Sequence, residues 1–259
     1  MDLQQAQKAV RGIFMPLGLR VRVEFGGEMI ADSSRAMLLR DSPVLLHYFF
    51  PREDVRMDLL QPSDHSTHSD WRGDTRHWTV EAGGQRAENA AWAFKSAPEG
   101  RPDTEGFLSF DWHSMDAWYV EDLQVFIHPR DPFSRIDTYP SSRAVRVELD
   151  GVTLAESNDV VMLFETGLPV RYYLSQQDVK MELLEPSDAR TGCPYKGWAS
   201  YWSIKVNGET YEDLVRSYQP GDVLPEVTPI EGRLAFYNEK VDHYVDGELQ
   251  PRPRTRWSG

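Results

Sequence analysis

The sequence predicts a mainly β protein made of two tandem copies of one domain, with a short helix at its N-terminus. Three observations carry this reading. Val21, Val23 and Phe25 alternate with Arg22 and Glu24, the period of two that marks a strand with one buried face. The stretch VRVEFGG at 21–27 returns as VRVELDG at 145–151, 124 residues later. At that same offset PREDVRMDLLQPSD, 51–64, meets SQQDVKMELLEPSD, 175–188, and eight of 14 positions are identical. Agreement of that kind at a fixed offset marks an internal duplication.

The elements follow in order. Residues 1–18 lie outside the repeat; Ala6, Val10, Ile13 and Phe14 have helical spacing, and Pro16 with Gly18 ends it. Gly26-Gly27 stands where a two-residue hairpin turn belongs. Residues 37–40 and 44–50 read as further strands, the second rich in aromatics. The match between copies runs without a gap to Trp78 and Trp202. It resumes with GFLSFDWHSMDAWYV from Gly106 against GRLAFYNEKVDHYVD from Gly232, an offset of 126, so the second copy has gained two residues. Between the copies lies IHPRDPFSRIDTYPSSR, 127–143, whose three prolines predict a stiff, irregular tether. In the second copy Asp150-Gly151 repeats the first turn. Residues 178–184 fit a strand or a single helical turn, and SYWSIKV followed by Asn207-Gly208 is the clearest hairpin signal. Residues 233–237 and 241–249 supply two more strands. The expected organisation is an extension over 1–18, a first β-repeat over 19–127, a linker over 128–142 and a second β-repeat over 143–259. No alternation of strand and helix is visible, which argues against a nucleotide-binding parallel sheet.

Acidic residues outnumber basic ones 41 to 28, a formal charge of −13. Such a surface repels phosphate backbones and anionic lipid, so neither nucleic acid nor a membrane is expected as partner. One cysteine forms no internal disulfide, which fits a reducing cytoplasm. The N-terminus lacks a basic segment leading into an apolar core, and no apolar run reaches the length of a membrane span.

Several stretches together carry a resemblance: ETGLPVRYYL at 165–174, DVKMELLEPSD at 178–188, CPYKGWASYW at 193–202 and FYNEKVDHYVDGE at 236–248. With them the chain resembles the bacterial and fungal family known as domain of unknown function 427, over about 19–259 and in both copies. The connector HPRDPF, 128–133, is similar to that joining tandem members. The resemblance implies two compact β-domains of β-tent (Mss4-like) type, and it implies no activity. Zinc-bearing relatives of that fold use paired Cys-x-x-Cys ligands. A single cysteine carries no such site over, and no metal or cofactor is expected.

The candidate site lies in the second copy. Lys196 follows Cys193 by three positions; an ammonium near the sulfur favours the thiolate. At 4 Å that attraction is roughly 1 kcal/mol in water and roughly 4 kcal/mol at an effective dielectric of 20. Against this stands a Cys193 that is simply a small buried side chain. Arg171, charged within the apolar run PVRYYL, suits a ligand carboxylate or phosphate, or else a structural ion pair with Glu182 or Asp188. Tyr172 adjoins it, and Tyr195, Trp198, Tyr201 and Trp202 offer aromatic walls. On a strand Tyr201 and Trp202 face opposite sides, so only one of them serves a given pocket. In the first copy Arg171, Cys193, Lys196 and Tyr201 become His47, Ser69, Arg72 and His77, while Asp54, Met57, Leu59, Leu60, Pro62, Gly73 and Trp78 keep their partners' identity or character. This suits two pockets with different tasks, one working and one retired, or drift of solvent-facing residues. His65 and His68 have ligand-like spacing, with His77 beyond, but they sit in a polar loop without a second ligand cluster. Asp111 and Asp116 read as turn and surface groups. Gly-rich phosphate loops, Gly-x-Ser-x-Gly and His-Glu-x-x-His are absent. Three functions fit: a Cys193/Lys196-dependent enzyme or covalent binder of a small molecule, a non-catalytic small-molecule binding module, and a structural or interaction module without a ligand. The oligomeric state is not encoded in any motif.

Overall fold

The structure is a computed structural model that describes residues 12–40, 46–69, 73–96, 100–255 and 257–258. The chain divides into two compact units, Met1–Asp131 and Pro132–Gly259. The first unit contains β1 (Ile13–Pro16), β2 (Val21–Phe25), β3 (Glu28–Ser33), β4 (Met37–Arg40), β5 (Leu46–Pro51), β6 (Leu60–Ser63), β7 (His68–Ser69), β8 (Gly73–Ala82), β9 (Gln85–Phe94), β10 (Phe107–Phe110), β11 (Ala117–Val120) and β12 (Leu123–Val125). The second contains β13 (Ile136–Ser141), β14 (Val145–Leu149), β15 (Val152–Ser157), β16 (Val160–Glu165), β17 (Arg171–Leu174), β18 (Leu184–Cys193), β19 (Gly197–Val206), β20 (Glu209–Val223), β21 (Leu234–Phe236), β22 (Asp242–Val245) and β23 (Glu248–Leu249).

Both units have one plan. A large sheet runs β1-β4-β5-β10-β9-β8-β6 in the first and β13-β16-β17-β21-β20-β19-β18 in the second. A four-stranded sheet runs β12-β11-β2-β3 in the first and β15-β14-β22-β23 in the second. The protein is therefore mainly β, with two tandem β domains. The alternation seen in the sequence is realised: Val21, Val23 and Phe25 are buried, as are Val145, Val147 and Leu149, with half-buried residues between them. Both hairpins carry a register shift at the same place, after Val23 and after Val147.

The large sheet of the second unit has two buried faces. On one, Leu174, Phe236, Val215 and Ile204 meet Val147 and Val245 of the small sheet and form the apolar core. On the other, Tyr173, Tyr201, Tyr218 and Tyr237 gather with Val161, Leu163 and Ala235. A 3-10 segment, Pro225–Ile230, contributes buried Val227 and Ile230 to this second cluster.

Two expectations need correction, and one left open is settled. Ile13 and Phe14 do not continue a helix: they belong to strand β1, paired with β4, while Ala6 and Val10 lie outside the described residues. Met15 packs on the main core and Phe14 on an aromatic cluster, the two-sided pattern of a strand. The first repeat thus begins earlier than residue 19. The tether, expected to be irregular over 128–142, contains β13, paired with β16. β13 is the edge of its sheet, where a proline such as Pro140 costs no ladder bond. Of the two readings of residues 178–184, the helical turn is the one realised: 3-10 turns Gln176–Asp178 and Met181–Leu183 precede β18, which starts at Leu184. No helix among the described residues is long and apolar enough to cross a membrane.

Candidate functional site

The pairing register sets the site. Across the large sheet of the second unit, Val161 stands opposite Tyr173, Tyr173 opposite Ala235, Ala235 opposite Arg216, and Arg216 opposite Tyr201. Directly opposed residues share a face. Two positions along, Tyr218 faces Ala199 and Arg171 faces Leu163. One buried face therefore carries two arginines and four tyrosines, with alanines beside Arg216 and Tyr218.

The two arginines differ in their partners. Arg171, 3 % exposed, donates two parallel bonds to Glu239, Nη1 to Oε2 at 2.5 Å and Nη2 to Oε1 at 2.6 Å, and another to Asn238 Oδ1. The planar fork and the carboxylate match atom for atom. Tyr237 and Trp257 lie against this guanidinium at 5.4 and 5.7 Å, and Thr255 Oγ1 donates to Glu239 Oε1 at 2.7 Å. Burial is the largest single influence and works against the Glu239 charge, but the hydrogen bonds from Arg171 and Thr255 and the Arg171 charge together outweigh it and hold the carboxyl below its ordinary range. Arg216 is 8 % exposed, and no carboxylate or hydrogen-bond acceptor pairs with it among the described residues. Its guanidinium lies 5.1 Å from the Tyr237 ring, which thus sits between two cations.

Two of the phenols around Arg216, Tyr201 and Tyr218, are held in their neutral form. Burial pushes Tyr201 up to about 12, against a hydrogen bond shared with Thr191 at 2.6 Å. Burial also raises Tyr218 well above its ordinary value, with Tyr173 and Cys193 adding to the effect. They are hydrogen-bond donors and π-faces, not counter-ions. The hydroxyl of Tyr173, whose side chain is fully buried, has no partner.

The expected site residues are sorted by this face. Arg171 and Tyr201 lie on it, and Cys193 ends β18 near Tyr218. Tyr172 and Trp202 lie on the opposite face, against the apolar core. Lys196, 3 % exposed, gives its ammonium to Glu165. Its backbone N–H donates to the Cys193 carbonyl at 3.2 Å across a tight turn that holds half-buried Tyr195. Gly197 closes that turn at φ +102°, and an added Cβ would stand 1.8 Å from the Asp222 carbonyl oxygen, so only glycine fits. Trp198 is exposed beside Arg190. The expected partners of Arg171 are corrected: Glu239 takes the place of Glu182 and Asp188. Glu239 follows β21, the neighbour of β17, whereas Asp188 on β18 is separated from β17 by β21, β20 and β19.

Sequence reading missed Arg216, Tyr173, Tyr218 and Tyr237. A signal existed: LVRSY at 214–218 places an arginine and a tyrosine two apart beside apolar residues, as VRYY at 170–173 does.

In the first unit the same face carries rings together with His47, His77, Thr75 and Ser109. The register puts Phe49 at the place of Tyr173, Trp92 at Arg216, Phe94 at Tyr218 and Ser109 at Ala235. Leu39, Phe49 and Trp92 form a cluster with Phe14, Phe94 and Phe107. His47 meets Trp92 edge to face at 5.2 Å. His77 bonds Thr75 Oγ1 at 2.9 Å and the Asn89 carbonyl at 3.1 Å, and burial lowers its pKa. Arg72 and the Ser69 side chain lie outside the described residues. His65 packs on His77 at 4.7 Å while His68 bonds Asp74, so the loop histidines diverge. Asp111 caps a 3-10 turn through Ser114, and Asp116 accepts from the Gly26 N–H, the turn and surface roles expected of them. Among the described residues no three His, Cys, Asp or Glu side chains form a metal-binding group.

Fold and register define a tandem β-domain protein whose two large sheets carry different residues on the same face. Residues 14–121 and 137–247 each match the family described as a domain of unknown function, DUF427, and the chain belongs to that family, carrying its domain twice. No curated protein sequence matches the chain.

Proposed function

We propose that the second unit binds a small acidic molecule on the arginine–tyrosine face, with Arg216 as the residue that meets its negative charge. Arg216, 8 % exposed and without a carboxylate or hydrogen-bond partner among the described residues, carries this reading. A buried cation without a counter-charge is costly, several kcal/mol on the order of known desolvation penalties, and such groups are retained where something pairs with them. The neutral phenols supply further donors. The net charge of −13 does not oppose this, because interactions beyond roughly 8 Å are screened at physiological salt.

The reading is of a binding unit rather than a Cys193–Lys196 catalyst, since Glu165 already holds the Lys196 ammonium. Alongside it belong a β-tent assignment for each unit, supported by a large sheet packed on a small one, and a cytoplasmic setting, supported by the single cysteine. The experiment is a thermal-shift panel of carboxylates, phosphate esters and sulfonates beside their neutral amides and amines, on the full chain and on Arg216→Met. Ligand at 100 times its dissociation constant adds about 2.7 kcal/mol. Acids alone should stabilise, and only with Arg216 present. If no acid does so, or if the neutral analogues do equally, the proposal is lost.

A further inference from the structure

The geometry points to a monocarboxylic acid as the ligand of the Arg216 face, its carboxylate lying edge-on to the guanidinium. This rests on the acid-binding reading above and narrows it to one chemical class. The first argument is charge. Among the described residues of this face Arg171 is matched by Glu239 and Lys196 by Glu165, which leaves Arg216 as one positive charge in excess. Buried charges are stable when paired one to one, so a single negative charge completes the set. A phosphate monoester, near −2 at neutral pH, would leave a buried charge of the opposite sign.

The second argument is shape. Arg171 with Glu239 shows how this face already holds a carboxylate, flat and two-pronged, beside the same Tyr237 ring. Arg216 lies 5.1 Å from that ring and lacks only the acid. Arg216 has Ala235 directly opposite it on one side and Tyr201 on the other, so a small side chain borders the guanidinium on the β21 flank only. The third argument is an independent donor. The Tyr173 hydroxyl is fully buried without a partner, on the residue that shares Ala235 as its cross-strand neighbour with Arg216. A carboxylate oxygen accepts from a phenol and a guanidinium at once.

The test uses the full chain at pH 7.5, with acetate, benzoate and methyl phosphate as probes. The Arg216 Nε–Hε NMR signal, assigned by through-bond experiments on the unaltered chain and checked by its loss in Arg216→Lys, reads the site without relying on a variant's stability. Acetate or benzoate should move this signal saturably and raise the melting temperature. Methyl phosphate should bind at least tenfold more weakly, and Arg216→Lys, which keeps the charge but not the fork, should lose at least tenfold in benzoate affinity. Methyl phosphate binding as tightly as benzoate would overturn the carboxylate inference and leave the acid-binding reading standing. Silence of the Arg216 signal with all three probes would end both. An undiminished benzoate response in Arg216→Lys would remove the two-pronged geometry.

Discussion

Replacing the two arginines of one face by methionine should change stability in opposite directions. Arg171→Met strands Glu239, whose side chain is 0 % exposed in its ion pair. Removing one partner of a buried pair costs about 3–5 kcal/mol. Arg216→Met strands no carboxylate. It forfeits a cation–π contact of about 0.5–2 kcal/mol and removes a desolvation penalty of several kcal/mol. The second unit should therefore gain about 1–3 kcal/mol from the change, by the precedent of buried ions replaced with apolar groups. A two-unit chain need not unfold in one step, so a single melting curve is a poor gauge. Native-state hydrogen exchange over β19 and β20, read by mass spectrometry, reports the unit in question. If Arg216→Met loosens those strands by more than about 1 kcal/mol, Arg216 holds the fold together and the idea of a waiting cation is wrong.

Other outcomes follow from the same coordinates. His243 is buried beside Tyr172 with its Nε2 unpartnered, and burial pulls its pKa down to about 4, against the acceptor carbonyl of Val241. The unfolded chain takes up that proton near pH 6.5, so stability is full above that pH and falls by about 3 kcal/mol as pH drops to 4; His243→Phe should flatten this stretch in urea titrations at pH 7, 5.5 and 4, and an unchanged slope would exonerate the residue. Gly197→Ala places a Cβ into the Asp222 carbonyl at a left-handed φ and should destabilise the second unit by more than about 1 kcal/mol, measured by the same exchange experiment. The double change Lys196→Met with Glu165→Leu should leave the iodoacetamide labelling rate of Cys193 within about twofold, because the ammonium serves Glu165; a tenfold fall would return Lys196 to the thiol.

The scaffold was legible because its signals are local. Val145, Val147 and Leu149 alternate, Asp150-Gly151 and Asn207-Gly208 turn, and the duplication fixes both units at once. β1 and β13 were not legible: they share only the proline at 16 and 140, and edge strands tolerate prolines that elsewhere mean loop. The site was half legible. Arg171 and Tyr201 were identified by residue type, and Tyr201 parted from Trp202 by strand parity. Arg216 was not, because its neighbours in space come from β17, β19 and β21, and only the register brings Tyr173, Ala235 and Tyr201 beside it. Nor does sequence show that Glu239 neutralises Arg171 while nothing described neutralises Arg216.

Of the four exchanges first noted between the units, those at Arg171, Lys196 and Tyr201 fall on buried positions of the second unit, and Cys193 is half-buried. The further pairs Tyr173 and Phe49, Tyr218 and Phe94 in part, and Arg216 and Trp92 also occupy buried or half-buried positions. The changes are also concerted. Where the second unit has Arg216, Tyr173 and Tyr218, the first has Trp92, Phe49 and Phe94, and the rings of those three pack on one another at 5.2, 5.4 and 5.9 Å. A cation among phenols or a set of edge-packed rings is each self-consistent, whereas Arg216 set among phenylalanines would bury a charge with neither donor nor acceptor near it. Contacting residues must therefore change together, and the direction is informative. The rings of the first unit satisfy one another by packing, whereas Arg216 in the second has no acceptor among the described residues, and that asymmetry is what the acid-binding proposal for the second unit addresses.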